Sequence, residues 1–219
     1  MSAWGGVGCG ARYDVSMAGQ IAFYFPQQWG GARAGAGRPR GTRRSDRLPH
    51  KSRPRVSKHR PHHVTVRVAR GTWNLRSQRC FAPIRAALAA VRRRSGFRVV
   101  HFSVQHNHLH LVTEAIDRKA MSNGLRSLLI RIARGLNRVM CARGRRFSDR
   151  YHEHVLGTPT EVRNALRYVI GNRFVHLGRW GHQLAHDLVD VFSSLAAADL
   201  VDLPECWLLR EGWTRAGPW

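Results

Sequence analysis

The first part of the hydrophobic pattern predicts a strand followed by a helix. Residues 63–69 alternate apolar and polar positions, with valine at every second place, which is typical of a strand with one buried face. Residues 78–94 repeat apolar side chains at helical spacing. Three arginines and then Gly96 close that segment, so we expect the helix to end there.

The middle of the chain predicts a hairpin and a long helix. Residues 97–104 and 109–113 have strand-like patterns, and the short corner at 105–107 would join them as a hairpin. A single apolar stripe then runs from Leu125 to Met140, which favours a long amphipathic helix. Strands and helices therefore alternate along one folded region.

A further helix has a clear start signal. Residues 146–156 resemble a strand or an extended connection. Thr158 is a good N-cap, Pro159 suits the first helical position, and Glu161 completes a capping box. We expect this helix to run from Pro159 to about His176.

The charge of the chain indicates a polyanionic partner. The 219 residues contain 37 Lys and Arg against 13 Asp and Glu, a formal net charge of +24. Nucleic acid is the expected partner, because the sequence has neither a bilayer-spanning apolar stretch nor a signal peptide. Four scattered cysteines indicate neither a zinc ribbon nor a disulfide framework. We expect a cytoplasmic, nucleoid-associated protein that does not enter a membrane.

Composition also predicts three regions. Residues 1–60 are rich in Gly, Pro and Arg and should form a flexible basic arm. Residues 61–180 carry the alternating strands and helices, and residues 181–219 should pack on them as a C-terminal extension.

Two histidines could form half of a metal site. His108 and His110 lie two residues apart in a predicted strand, so both imidazoles project from the same face toward one cation. His106, in the corner before them, is open to three readings: a loop residue, which we favour, a third ligand or a phosphate contact. His182 and His186 have helical ligand spacing, but no third ligand accompanies them, so we interpret them as structural.

The helix that starts at Pro159 supplies a nucleophile and a further oxygen donor. Tyr168 lies on the flank of its apolar face, and Asn172 follows one turn later. The amide oxygen of Asn172 could complete the coordination of a hard cation. Tyr151 is the rival nucleophile, although it has no such partner four residues on.

These residues also carry a family resemblance. His108-Leu109-His110 after Asn107, followed by Tyr168-Val169-Ile170-Gly171-Asn172, resembles the single-tyrosine HUH transposases, particularly the REP-associated tyrosine transposase branch. The likeness covers roughly residues 60–215. Met17 and the residues after it also resemble a family start better than Met1 does, so we expect residues 1–16 to be an over-extended reading frame or a disordered lead-in. The resemblance implies an α+β fold, in which helices pack on the faces of an antiparallel sheet in the ferredoxin-like arrangement of HUH endonucleases.

The resemblance implies a reaction and its partners. Tyr168 would cleave single-stranded DNA beside a hairpin or palindromic repeat, form a 5′-phosphotyrosine and rejoin strands. His108, His110 and Asn172 would bind Mg²⁺ or Mn²⁺, and the protein would act as a monomer or a homodimer. The exposed face with Arg131, Arg134 and Arg138 is either solvated or a phosphate contact, and we assign it to DNA together with Arg145 and Arg146.

Two other functions fit the same residues. A protein that kept this fold but lost catalysis would bind hairpin DNA as a repressor or a domesticated repeat-binding factor. A metal-dependent nuclease could instead use water as the nucleophile and keep Tyr168 as a structural residue.

Overall fold

A computed structural model describes the backbone of residues 53–179 and 189–217. It defines the side chains of the same residues except 172–179. Most of the predicted arm, the lead-in before Met17 and the pair His182 and His186 lie outside the described residues. The three-region division stays a prediction.

The described chain is an α+β structure built on four strands. The strands are β1 (His62–Arg67), β2 (Phe97–Val104), β3 (His108–Ala115) and β4 (His152–Val155). They form one antiparallel sheet in the order β2-β3-β1-β4. The predicted hairpin of β2 and β3 is present, and the N–H of Gln105 donates to the carbonyl of His108 across its corner at 2.9 Å.

Four α-helices accompany the sheet within residues 53–179 and 189–217. They are α1 (Gln78–Val91), α2 (Arg118–Val139), α3 (Pro159–Arg179) and the short α4 (Trp207–Arg210). None of the helices within the described ranges is long and apolar enough to cross a bilayer. The predicted end of α1 was three residues too late, because Arg93 adopts a left-handed conformation (φ 58°) and its N–H points to the carboxylate of Asp202 at 3.3 Å.

The two faces of the sheet bury different helices. The side chains of Val64, Val66, Leu109 and Leu111 face α1 and α2 in the larger core. The alternate positions Val100 and Val112 face α3 and α4 in the smaller one. Since successive side chains of a strand point to opposite faces, each core fixes which residues the other face presents.

Residues after position 189 cover the outer edge of β2. The N–H of Val104 donates to the carbonyl of Phe192, and the N–H of Ser194 donates to the carbonyl of Phe102, at 2.9 and 3.0 Å. The guanidinium of Arg76 clamps this segment through the buried carboxylate of Asp190. The backbone N–H of Val104 and the carbonyl of Phe102, which face outward from this edge of the sheet, therefore have hydrogen-bond partners in the same chain.

A buried carboxylate ties β4, the other edge strand, to the α2 side of the sheet. The side chain of Glu153 is almost fully buried, 2.9 Å from Arg118, 2.8 Å from His62 and 3.3 Å from Arg53. Burial alone would raise the pKa of Glu153, but hydrogen bonds from His62 and Arg118 and their charges lower it to about 2. Residues from Arg53 onward thus already lie against the domain.

The substitution Glu153→Gln should destabilise the fold by about 2 kcal/mol, because it leaves the buried His62 and the partly buried Arg118 and Arg53 without the carboxylate that they share. Urea unfolding followed by circular dichroism measures this loss. The matched control is Glu205→Gln, which removes an exposed carboxylate paired with Arg98 and should change stability little. Equal effects of the two substitutions would contradict this role of Glu153.

The contribution of Glu153 should also depend on pH. Its pKa lies near 2 in the folded protein and at 4.5 in the unfolded chain, so its stabilisation is complete above pH 4.5 and is lost as pH falls toward 2. The difference in unfolding free energy between the native chain and Glu153→Gln should shrink over that interval. A difference that stays constant from pH 6 to pH 3 would disprove the coupling.

Candidate active site

The face of the sheet below α3 carries a cluster of imidazoles. Three strands contribute to it, because β1 lies between β3 and β4 and alternate residues of each point to this face. With the ring of Tyr168 they line an open groove of about 610 Å³. The residues that line it are His63, Thr65, Arg67, His108, His110, His152, His154 and Tyr168.

The two predicted metal ligands lie side by side in this groove. The imidazole rings of His108 and His110 are 4.6 Å apart between centroids, with their planes at 87°. The Nδ1 atom of His108 is 2.7 Å from the amide oxygen of Asn107. A ring nitrogen that faces such an acceptor carries the proton, so the lone pair of His108 is on Nε2, the form that binds a metal.

The second imidazole has two partners at the corresponding nitrogen. The Nδ1 atom of His110 is 3.2 Å from Nε2 of His63 and 3.2 Å from the hydroxyl of Thr65. His110 is 3% exposed, so these contacts hold it in a fixed orientation at the floor of the groove.

Tyr168 reaches the imidazoles from α3. The predicted capping box is present: the N–H of Glu161 donates to the Thr158 hydroxyl, and the N–H of Thr158 donates to the Glu161 carboxylate, at 3.2 and 3.0 Å. Val162, Leu166 and Val169 bury the inner face of the helix. This packing turns Tyr168 toward the groove, where it stays 47% exposed.

The phenol ring lies edge-on against two histidines. Its centroid is 4.8 Å from that of His110 and 5.8 Å from that of His63, with the planes at 81° and 68°. The structure thus brings together a candidate nucleophile and one candidate ligand that are 58 positions apart in the sequence. Asn172 lies one turn further along the backbone of α3, but its side chain is outside the described set, so its role as a ligand stays a prediction.

The donor set fits a divalent cation that takes part of its coordination from elsewhere. Within residues 53–171 and 189–217, no three side chains of the His, Cys, Asp and Glu types are grouped closely enough to hold a metal. His108 and His110 offer two neutral nitrogens on one face of a strand. A third donor of another type, such as the amide predicted at Asn172, would complete a site with positions open for phosphate oxygens.

The sequence reasoning missed three histidines that lie in the groove. His63 opens the strand predicted at residues 63–69, and its alternation with the buried valines places it on the opposite face of the sheet. His152 and His154 form a second His-x-His pair, on β4. Burial first, and then the charges of His154 and His152, lower the pKa of His63 to about 4, so His63 is neutral at pH 7.

Other candidate residues lie elsewhere. Tyr151 packs against the larger core on the far side of the sheet, with the guanidinium carbon of Arg53 3.7 Å above its ring centroid. His106 is exposed in the hairpin corner, where its carbonyl accepts from the N–H of Leu75. Neither residue lines the groove beside Tyr168.

The predicted DNA contacts also lie outside the groove. Arg131, Arg134 and Arg138 are exposed on α2, which packs on the opposite face of the sheet. The Nε atom of Arg145 donates to the carbonyl of Phe147 at 2.7 Å, and Arg146 donates to the carbonyl of Arg143 at 2.8 Å. These last two guanidiniums shape the loop after α2, and all five assignments to DNA stay predictions.

Comparison with known proteins supports the fold. No protein-family model matches the sequence, and no curated protein matches it either. The chain is similar to a solved structure described as the REP associates tyrosine transposase bound to a REP hairpin, with a TM-score of 0.51 and 17% identity. The likeness covers 73% of this chain and 92% of that one. It confirms the predicted α+β fold, and the resemblance to that transposase branch is confirmed at the level of the fold.

Replacement of both His108 and His110 by alanine should weaken Mn²⁺ binding by at least about 10-fold, because it removes the His-x-His pair whose His110 ring contacts Tyr168 and leaves only the pair on the edge strand β4. Titration calorimetry with Mn²⁺ alone measures the effect. His106→Ala is the matched control and should bind Mn²⁺ as the native chain does, since its imidazole is in the corner. A loss caused by His106→Ala would instead identify His106 as a ligand.

Proposed function

We propose that the protein cleaves and rejoins single-stranded DNA with Tyr168 as the nucleophile. The observation that carries the proposal is the contact of the Tyr168 ring with His110, which joins the predicted nucleophile to the predicted metal-binding pair. The fold is similar to that of a transposase bound to a hairpin, which favours DNA over other polyanions. The net charge of +24 is consistent with that partner.

The bond changes follow from a phenol as nucleophile. The Tyr168 oxygen attacks the phosphorus and loses its proton, while the bond from phosphorus to the 3′ oxygen breaks and that oxygen leaves as a hydroxyl. The 5′ side stays attached to the protein as a phosphotyrosine. Since one phosphodiester replaces another, the 3′ hydroxyl of a second strand can reverse the step and join strands without ATP.

The surroundings of Tyr168 suit this step. A free phenol has a pKa near 10, so at neutral pH it needs a neighbour that favours loss of its proton. Mg²⁺ or Mn²⁺ held by His108, His110 and Asn172 would supply positive charge for the scissile phosphate. The pKa of His63 is about 4, so at neutral pH its ring carries no positive charge that would repel a cation bound at His108 and His110.

The arginines on α2 would serve a different part of the substrate. They lie on the face of the sheet away from Tyr168, so we assign them to phosphates of a hairpin stem or of a distant strand. A protein with this activity would work on the chromosome, in the predicted cytoplasmic and nucleoid-associated location. Whether it acts as a monomer or a homodimer does not change the roles given to these residues.

The substitution Tyr168→Phe should abolish covalent attachment to DNA and leave hairpin binding intact. The measurement is incubation with a labelled single-stranded hairpin library and Mg²⁺ or Mn²⁺, followed by a denaturing gel and by binding assays. Tyr151→Phe is the matched control and should keep the adduct, because that ring lies in the core on the other side of the sheet.

Three outcomes would overturn the proposal. Cleavage without a protein–DNA link would identify a nuclease that uses water. Hairpin binding without any cleavage by the native chain would identify a DNA-binding protein that has lost catalysis. An adduct that peptide mass analysis locates on Tyr151 would show that Tyr151, and not Tyr168, is the nucleophile.

The double substitution Arg131→Ala/Arg134→Ala should weaken hairpin binding and lower its salt dependence. Each lost phosphate contact reduces the slope of log affinity against log salt by about 1. Arg79→Ala/Arg85→Ala makes the same charge change on α1 and is the matched control. Equal losses for both pairs would show that α2 contributes only general charge.

A further inference from the structure

His63 contacts both the candidate ligand His110 and the candidate nucleophile Tyr168. It lies on β1, the strand between β3 and β4, and its side chain is half-buried below α3. Its ring centroid is 5.3 Å from that of His110 and 5.8 Å from that of Tyr168. Its ring thus contacts one ring on β3 and one ring on α3.

The contact with His110 controls which nitrogen can bind a metal. The Nε2 atom of His63 and the Nδ1 atom of His110 are 3.2 Å apart, so a hydrogen bond between the two rings requires one of these nitrogens to donate and the other to accept. If His63 accepts, His110 carries its proton on Nδ1 and keeps the lone pair on Nε2. That tautomer matches the one that Asn107 imposes on His108, so both ligands present the same nitrogen.

The contact with Tyr168 limits where the phenol can lie. His63 and Tyr168 line both the main groove and a neighbouring pocket of about 310 Å³ that extends toward His154 and Asn164. His154 lines both cavities as well, so the rings of His63 and His154 stand where the two cavities meet. His63 also contacts the phenol, and without the His63 ring the phenol would have more room to turn away from His110.

We propose that His63 is a positioning residue, which fixes His110 in its metal-binding tautomer and holds the Tyr168 ring beside it. The role toward His110 rests on the geometry of the imidazoles, and the role toward Tyr168 rests on the proposed function. His63 itself neither binds the cation nor touches the scissile bond. The His63 side chain would instead influence both the affinity for the metal, through His110, and the position of the Tyr168 phenol.

The test compares two substitutions of similar size. His63→Leu keeps the volume but removes the acceptor, whereas His63→Gln keeps a polar group that can accept from Nδ1 of His110. Mn²⁺ binding without DNA is measured by calorimetry, and formation of the covalent DNA adduct is measured in a single turnover. We expect His63→Leu to weaken Mn²⁺ binding by about 10-fold or more and to slow adduct formation, and His63→Gln to restore most of both.

Thr65→Val separates His63 from the other partner of His110. The hydroxyl of Thr65 is equally close to Nδ1, so a loss in Thr65→Val with none in His63→Leu would assign the orienting role to Thr65 and overturn the proposal. Thermal unfolding of all three variants shows whether the fold is kept. If His63→Leu does not fold, His63→Gln still tests the proposal. A side chain that only fills space needs no hydrogen-bond acceptor, so retention of Mn²⁺ binding in His63→Gln supports an orienting role.

The remaining outcomes also decide the matter. Unchanged Mn²⁺ binding in His63→Leu, or no Mn²⁺ binding by the native chain, would overturn the proposal. If the native chain binds Mn²⁺ and His63→Leu weakens that binding, yet no adduct forms with any variant, the role toward His110 stands and the proposed cleavage function fails. The two conclusions are therefore judged by separate measurements.

Discussion

The pairing of β1 with β3 is the constraint on which the site depends. In this antiparallel register Thr65 lies opposite His110, and Val64 lies opposite Leu111. A slip by one residue would turn the imidazoles into the core below α1 and α2 and expose the valines to water. Burial of the valines and leucines stabilises this register by about 25 cal/mol for each square ångström of apolar surface. The same register therefore also directs Thr65 and His110 to the opposite face. The groove thus lies on the face of the sheet opposite the larger hydrophobic core.

The same logic explains why β4 can be both an edge strand and part of the groove. The strand has four residues and, among the strands that the structure describes, pairs with β1 alone. Glu153 points to the α2 side, where its buried carboxylate is held by Arg118 and His62. His152 and His154 then face the groove because they flank Glu153 in the alternation. An ion pair on one face thus sets the position of two imidazoles on the other.

The sequence was sufficient for the elements and for the fold class, and less so for the site. Apolar alternation and helical spacing predicted β1, β2, β3 and the three main helices, because each element has to bury one side, whereas residues 146–156, which contain β4, fitted either a strand or an extended connection. The end of α1 was wrong because Asp202, more than a hundred residues later, holds the N–H of Arg93. His63 was missed for a related reason: its neighbours in space come from β3 and α3, and no local pattern expresses those contacts. Neither could spacing show that α2 lies across the sheet from Tyr168.

That separation decides what the charge of the chain can do. The face that presents Tyr168 contains several histidines and Arg67, whereas Arg131, Arg134 and Arg138 project from the far side of α2. A sheet and a packed helix lie between the two, a thickness on the order of 15 Å, which exceeds the reach of a guanidinium. The arginines on α2 therefore cannot touch the phosphate beside Tyr168. In the proposed reaction they contribute to affinity and to the orientation of the substrate, and stabilisation of charge at the scissile phosphate is left to the groove and to the cation that its imidazoles would hold.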